Sequence, residues 1–340
     1  MVTAYNKRIA IIFLVLLWFV FSNAGTCQPG RTSQVPVNEE VYIATEDTEL
    51  FANIRGKDSA SPILLYLHGG PGSPLGVPIL KAYAGPQLEN HFLIVYLHQR
   101  GIMKSKRVSD SKHRISNYVK DVHYVVNFLK KKFNNRDIYL MGHSWGGLLS
   151  YLYLIEYQDD IQKIITICTP LDVELSIKER INMMLIWAKD TNNAEAIEEL
   201  SELQDKSLND IEKKSEILEK WMTRAYGGWS RNLSVKRIDT AVDYEDRFPL
   251  WLKEQKHIEE LMIQELLGVN LMSSIHSLST PLLSIAGAED TSTPWYVVKY
   301  GVDRYKGEKT FVLFENSHHM VFMDEEDLFV EIVLKFLINK

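Results

Sequence analysis

Gly142-His-Ser144-Trp-Gly146 follows the apolar run Ile138–Met141 and opens a stretch of small and apolar residues, Gly147-Leu-Leu-Ser150. Strand, Gly-x-Ser-x-Gly, helix is the pattern that raises a serine on a tight turn. A serine hydroxyl is a weak nucleophile at its ordinary pKa, so it needs an exposed tip where a base can take its proton. The amide of Trp145, at the positive end of the new helix, is then aimed at the oxygen of a reacting carbonyl. The chemistry predicted is acyl transfer. It also requires a histidine, and a carboxylate to fix that histidine's tautomer. In this arrangement acid and histidine come later in the chain, after late strands. Asp290, with Glu289 as its rival, follows the apolar run Pro281–Ala286, and His318-His319 follows Thr310–Phe314. Asp290 is preferred because Gly287 and Pro294 fix the turn on both sides of it.

The elements that must position these groups follow from periodicity. Residues 40–55 alternate apolar and polar around Glu46-Asp47, predicting a hairpin. Pro62–Leu67 and Phe92–Leu97 are continuous apolar runs, as expected for strands buried on both faces of a parallel sheet. The first leads into His68-Gly-Gly-Pro-Gly72, whose backbone amides can crowd an anion and supply a second oxyanion donor. Ile115, Tyr118, Val119, Val122, Val125, Val126, Leu129 and Phe133 fall at helical steps, ending in the solvated lysines 130–132. Lys163–Cys168 is strand-like, and Cys168 reads as a small core residue. From 171 to 278 strand-like runs vanish. Glu, Lys, Leu and Ile take over at helical spacing, with Trp187, Trp221, Trp229 and Trp251 expected to serve packing. That stretch predicts a helical cap inserted over the sheet's C-terminal edge, where ligands bind in such folds. A last helix spans 325–337. The fold class predicted is α/β, with a mostly parallel sheet covered by helices on both faces. Its core comprises residues 40–170 and 279–340, and its cap residues 171–278.

Composition narrows the function. The 340 residues, 46% hydrophobic, support a sizeable core, and a net charge of -6 gives no reason to expect a nucleic-acid partner. The ten histidines show no metal-ligand spacing, and two cysteines, Cys27 and Cys168, make no disulfide framework. No metal or organic cofactor is expected. Lys7 and Arg8, the apolar run Ile9–Phe21 and Ser22-Asn-Ala24 form the pattern of an export signal cleaved near residue 24. Residues 25–39 then form a tether. Export to the periplasm or medium is expected, with an uncleaved anchor or lipidation at Cys27 as the membrane-bound alternatives.

His68-Gly-Gly-Pro-Gly72, Gln99-Arg-Gly101, Gly142-His-Ser-Trp-Gly-Gly147, Gly287-x-x-Asp290-x-x-x-Pro294 and the ending from Ser317 to Phe329 resemble the proline iminopeptidase branch of the α/β-hydrolases. The resemblance covers residues 40–170 and 279–338 and is weak in the cap. It implies Ser144 as nucleophile, Asp290 as orienting acid and His319 as base, because Asp324 and Glu325 keep the branch's register from His319. It implies oxyanion amides from Trp145 and the Gly69-Gly70 pair, of which Gly70 is favoured. Two positions depart from the branch's D-Q-R-G-x-G-x-S: His98 replaces the acid and Met103 the second glycine, while Ser105 is kept. The branch also holds the substrate's α-amine with cap glutamates. Glu174 and Glu245 are the substrate-binding candidates here, with Asp243 behind them.

The expected function is therefore an exported serine hydrolase working through an acyl-enzyme, an aminopeptidase taking an N-terminal proline or small apolar residue from a small-molecule or short-peptide substrate. A carboxylesterase is the first alternative, because ester and amide share the tetrahedral intermediate. A catalytically silent binding protein of the same fold is the second.

Overall fold

The computed structural model describes residues 35–204, 211–226, 228, 230, 237–238 and 248–338. The export signal, Cys27, Trp229, Asp243 and Glu245 lie outside the described residues. The chain order is β1 (Val37–Ala44), β2 (Glu49–Gly56), β3 (Ile63–Leu67), α1 (Gly76–Ala82), β4 (Leu93–Leu97), α2 (Ile115–Lys132), β5 (Ile138–His143), α3 (Trp145–Tyr157) and β6 (Lys163–Ile167). Between β6 and β7 (Leu282–Gly287) come α4 (Val173–Asp190), α5 (Ala194–Gln204), α6 (Ile211–Tyr226) and α7 (Phe248–Leu267). The chain closes with α8 (Trp295–Val302), β8 (Lys309–Phe314) and α9 (Glu326–Ile338).

The strands make one eight-stranded sheet in the order β1-β2-β4-β3-β5-β6-β7-β8. Only the β1–β2 and β2–β4 pairs are antiparallel. The fold is thus an α/β-hydrolase fold. Alternation along β3 shows how both faces are buried. Ile63, Leu65 and Leu67 pack with Val122, Val126 and Leu149 of α2 and α3, while Leu64 and Tyr66 pack with α1 and α9 through Leu80, Phe329 and Val333. The first strand begins earlier than the hairpin expectation. Residues 37–39, assigned to the tether, pair with Arg55, Gly56 and Ile54. They escape sequence reading because β1 is an edge strand whose polar side chains alternate with half-buried ones.

Helices α4, α5 and α6 share a core of their own, with Ile181, Met184, Leu200 and Trp221 buried together. Trp221 also donates its Nε1–H to Glu199, at 2.7 Å. No helix among the described residues is long and apolar enough to cross a membrane.

Candidate active site

Because β3 to β8 run parallel, the loops after β3, β4, β5, β7 and β8 all leave by one edge of the sheet. That edge collects His68–Gly72, Gln99–Gly101, Ser144, Asp290 and His319. Ser144 sits at the junction of β5 and α3 with φ 54° and ψ -120°, a strained conformation for a residue with a side chain. The strain is held by close packing. A Cβ on Gly146 would collide with the carbonyl oxygen of Leu67, and one on Gly142 with the carbonyl of Gly146, so neither position admits a larger residue. The serine's own amide donates to the Ile167 carbonyl at 2.8 Å, anchoring the turn to the end of β6.

Asp290 is fully buried, and its Oδ2 accepts the His319 Nδ1–H at 2.8 Å. Its Oδ1 accepts from the amides of Ser292 at 2.8 Å and Thr293 at 3.1 Å, and the Thr293 hydroxyl also donates to Oδ2. Burial pushes the carboxyl up, but His319 and the Thr293 donors outweigh it and hold its pKa down at about 2. Asp290 is therefore a carboxylate across the working pH range. With the proton of the neutral ring on Nδ1, the lone pair of His319 is on Nε2. The rival pairing is separate: His318 is buried with its ring 3.5 Å from both Glu289 and Asp324, and its amide donates to Asp324 at 2.8 Å. The loops bearing acid and histidine are also tied together, the Glu289 amide donating to the Ser317 carbonyl at 3.0 Å.

His143 is a positioning group that the sequence reading passed over. It occupies the first variable place of Gly-x-Ser-x-Gly and donates from Nε2 to the His319 carbonyl at 3.0 Å. Burial, with His319 adding to it, drives its pKa down to about 3, so the ring stays neutral and the bond stays made. Cys168 is buried as expected. Burial, with the Asp290 carboxylate adding to it, raises its pKa well above the usual range.

The Gln99-Arg-Gly motif braces the anion-binding loop. Gln99 donates from Nε2 to the His68 carbonyl at 2.8 Å and accepts the Trp145 indole N–H at 2.9 Å. Its amide donates to His68 Nε2 at 3.3 Å, and His68 Nδ1–H donates to the Gly69 carbonyl at 2.9 Å. One side chain thus locks the His68–Gly72 loop to the helix that starts beside Ser144. Gly70, at φ 117°, holds a backbone conformation that excludes other residues. Arg100 is buried and grips Asp121 with both ends of its fork, at 2.7 and 2.8 Å. Tyr118 of the same helix packs edge-on against Trp145.

Both departures from the expected loop are accommodated locally. Met103 adopts φ 54°, the conformation that favours a glycine. Burial drives the His98 pKa well down, and the neutral ring accepts the Lys104 amide at Nδ1 and packs on Phe51. Ser105 donates to the His98 carbonyl at 2.6 Å and accepts the Phe51 amide at 2.9 Å.

Among the cap carboxylates the structure departs from expectation. Glu174 is exposed in the first turn of α4 and pairs with Lys178 one turn on, at 2.6 Å, so it is a surface ion pair and not a lining group. A further carboxylate of the cap, half-buried on α7, is Glu259. Its neighbour Ile258 packs onto Gly72 and reaches Gly101, which lays α7 across the His68–Gly72 loop. Burial pushes the Glu259 pKa up to about 7, opposed by a hydrogen bond from Gln255 and reinforced by Glu219 and Glu260. No motif marks it; only its helix, packed over the loop, does. Beside Ile258 an open cleft of about 280 Å³ runs along Gly101, His113, Lys253 and His257.

Residues 62–326 match the family model of the alpha/beta hydrolase fold, and the chain belongs to that family. It is a hydrolase, and curated proteins named as aminopeptidases and proline iminopeptidases are similar to it over most of its length. A probable aminopeptidase of Bacillus subtilis, YbaC, is 27% identical over 312 residues, covering 87% of this chain and 96% of that one. A proline iminopeptidase of Lactobacillus crispatus is 28% identical over 297 residues, covering 85% and 94%. The proline iminopeptidase of Mycobacterium smegmatis shares the fold with a TM-score of 0.67 at 16% identity, covering 88% of this chain and 97% of that one.

Proposed function

We propose that the protein is a serine aminopeptidase that removes an N-terminal proline or small apolar residue through an acyl-enzyme. The observation that carries the reading is the buried His319–Asp290 pair on the sheet edge that also raises Ser144. In this reading His319 Nε2 takes the Ser144 proton as Oγ attacks the scissile carbonyl. The Trp145 and Gly70 amides stabilise the oxyanion, and the imidazolium, held by Asp290, returns the proton to the leaving amine. Water then repeats the sequence on the ester and frees the N-terminal residue.

The aminopeptidase specificity is supported by Glu259. Glu259 is half-buried with its pKa raised to about 7 and no cation pairs with it among the described residues; in this reading a substrate ammonium supplies one. The relatives named as aminopeptidases point the same way. Export remains part of the proposal on the strength of Lys7-Arg8 and the apolar run to Phe21. Fractionation of cells with N-terminal sequencing of the recovered chain checks it.

The test compares initial rates on proline p-nitroanilide, its N-acetyl form and p-nitrophenyl acetate, for wild type and Ser144→Ala. Cleavage of the free-amine anilide alone, lost by at least about 10⁴-fold in the variant, is the expected result. Cleavage of the acetate alone moves the protein to the esterases. Unchanged hydrolysis by Ser144→Ala removes the nucleophile assignment.

A further inference from the structure

Arg180, on α4, is a half-buried cation for which the proposed chemistry has no use. Its Nε is closed off from solvent and has no hydrogen-bond partner among the described residues. Its Nη2 meets the Met222 sulfur, at 3.6 Å, the one hydrogen-bond partner it has among the described residues and a weak acceptor. The same sulfur takes the Ser292 hydroxyl at 3.7 Å, and the Ser292 amide donates to Asp290. Next door on α4, Glu179 accepts the Tyr296 hydroxyl at 3.1 Å. Helix α4 therefore lies across the connection that carries Asp290, and Arg180 stands beside the acid end of the site.

Asp290 and Glu219 both attract Arg180, but Asp290 is not its partner. The oxygens of that carboxylate are already taken by Ser292, Thr293 and His319. Its Nε is shielded from solvent without a hydrogen bond among the described residues, which is unfavourable, and the five donors of a guanidinium suit a carboxylate bidentately. The position decides which part of a substrate would bring that carboxylate. The histidine must reach the leaving nitrogen to protonate it, so the leaving group lies on the His319–Asp290 side. Glu259, by contrast, belongs to the helix that covers the oxyanion loop, on the acyl side.

We propose that Arg180 binds the free C-terminal carboxylate of the leaving portion, which makes short peptides with an unblocked C-terminus the preferred substrates. This rests on the aminopeptidase reading for the nature of the acyl part alone. Two opposite charges, the amine near Glu259 and the carboxylate at Arg180, would then measure the substrate from both ends.

The experiment measures kcat and KM on Pro-Ala and Pro-Ala-amide with wild type, Arg180→Met and Arg180→Lys. Methionine keeps the packing of the stem and removes the charge. The proposal expects wild type to favour the free acid at least tenfold in kcat/KM, mainly through KM. Methionine should abolish that preference, and lysine should keep part of it. Equal rates on acid and amide in wild type overturn the proposal, as does an equal loss on both substrates in Arg180→Met. A preference for Pro-Asp-amide over Pro-Ala-amide, with none for Pro-Ala over its amide, assigns the arginine to an acidic side chain and also overturns it. If no amide is cleaved, the same comparison is made on 4-acetoxybenzoate and 4-acetoxybenzamide. An Arg180-dependent preference for the benzoate upholds the inference while the aminopeptidase reading falls; no preference ends both.

Discussion

His319 donates from Nδ1 to Oδ2 of Asp290 across 2.8 Å, inside a site where the carboxylate is fully buried. The pair works in both directions: Asp290 fixes the tautomer of the histidine, and the histidine keeps the buried carboxyl ionised. Asp290→Asn preserves shape but favours the other tautomer, and kcat should fall by about 10⁴-fold. The same pair shows in stability. The native pKa of about 2 lies below the ordinary 3.8, so the stabilisation is complete above 3.8 and disappears as pH falls from 3.8 through 2. It amounts to roughly 2 kcal/mol. Denaturant unfolding at pH 5 and pH 2 should show a smaller loss for Asp290→Asn than for wild type.

The adjacent histidines should separate cleanly. His319→Ala removes the base and should lower kcat by at least about 10⁴-fold with little loss of fold. His318→Ala empties a buried site between Glu289 and Asp324, so it should lower the unfolding midpoint and leave kcat within a few-fold. A greater loss of turnover at His318 than at His319 would reverse the assignment.

Gln99→Leu tests the brace. It leaves the buried Trp145 N–H and His68 carbonyl without their partners, at about 1–3 kcal/mol each. Because the Trp145 amide is the proposed oxyanion donor, a displacement of about 1 Å should also lower kcat by about 10²-fold. Stability lost with kcat intact would mean that the brace serves the fold alone.

The site's core was legible in the sequence because tight backbone geometry dictates residue type. The glycines about Ser144 and the Gly287-to-Pro294 turn each answer a steric demand, and they appear as motifs. Continuous apolar runs marked the central strands for the same reason, both their faces being buried. What escaped notice has no local signature. His143 acts through a carbonyl 176 residues away in sequence. The roles proposed for Glu259 and Arg180 rest on where helices of the cap fall, which no local pattern marks. Glu174 was one cap carboxylate among several with no motif to single it out, and one turn of helix brings Lys178 beside it and spends its charge at the surface.

Met103 gives a prediction of opposite sign. At φ 54° it holds a left-handed conformation that costs a side-chain-bearing residue about 1–2 kcal/mol. Glycine escapes that cost but loses more chain entropy on folding, about 0.5–1 kcal/mol. Met103→Gly should therefore stabilise the protein by roughly 0.5–1 kcal/mol, and Met103→Ala should not. Parallel denaturant titrations of wild type and the two variants decide it; a glycine midpoint no higher than that of wild type would overturn the prediction.

Glu259 predicts a pH dependence that belongs to the substrate's amine and not to the triad. With its pKa raised to about 7 in the free enzyme, Glu259 is neutral below that value and ionised above it. Its folded pKa exceeds its unfolded one. It therefore burdens the fold above pH 7, where a charge is buried, and not below the unfolded value of 4.5. A free-amine substrate needs the ionised form, whereas an acetate ester does not. The ratio of kcat/KM on proline p-nitroanilide to that on p-nitrophenyl acetate should rise with pH through about 7, once ionisation of the substrate amine is allowed for. A change that acts on the shared hydrolytic step affects both substrates and cancels in that ratio. Glu259→Gln should flatten the ratio, lower it by tenfold or more at pH 8, and narrow the difference in stability between pH 5 and pH 8. A ratio that still rises in the glutamine variant would move the amine site to another carboxylate.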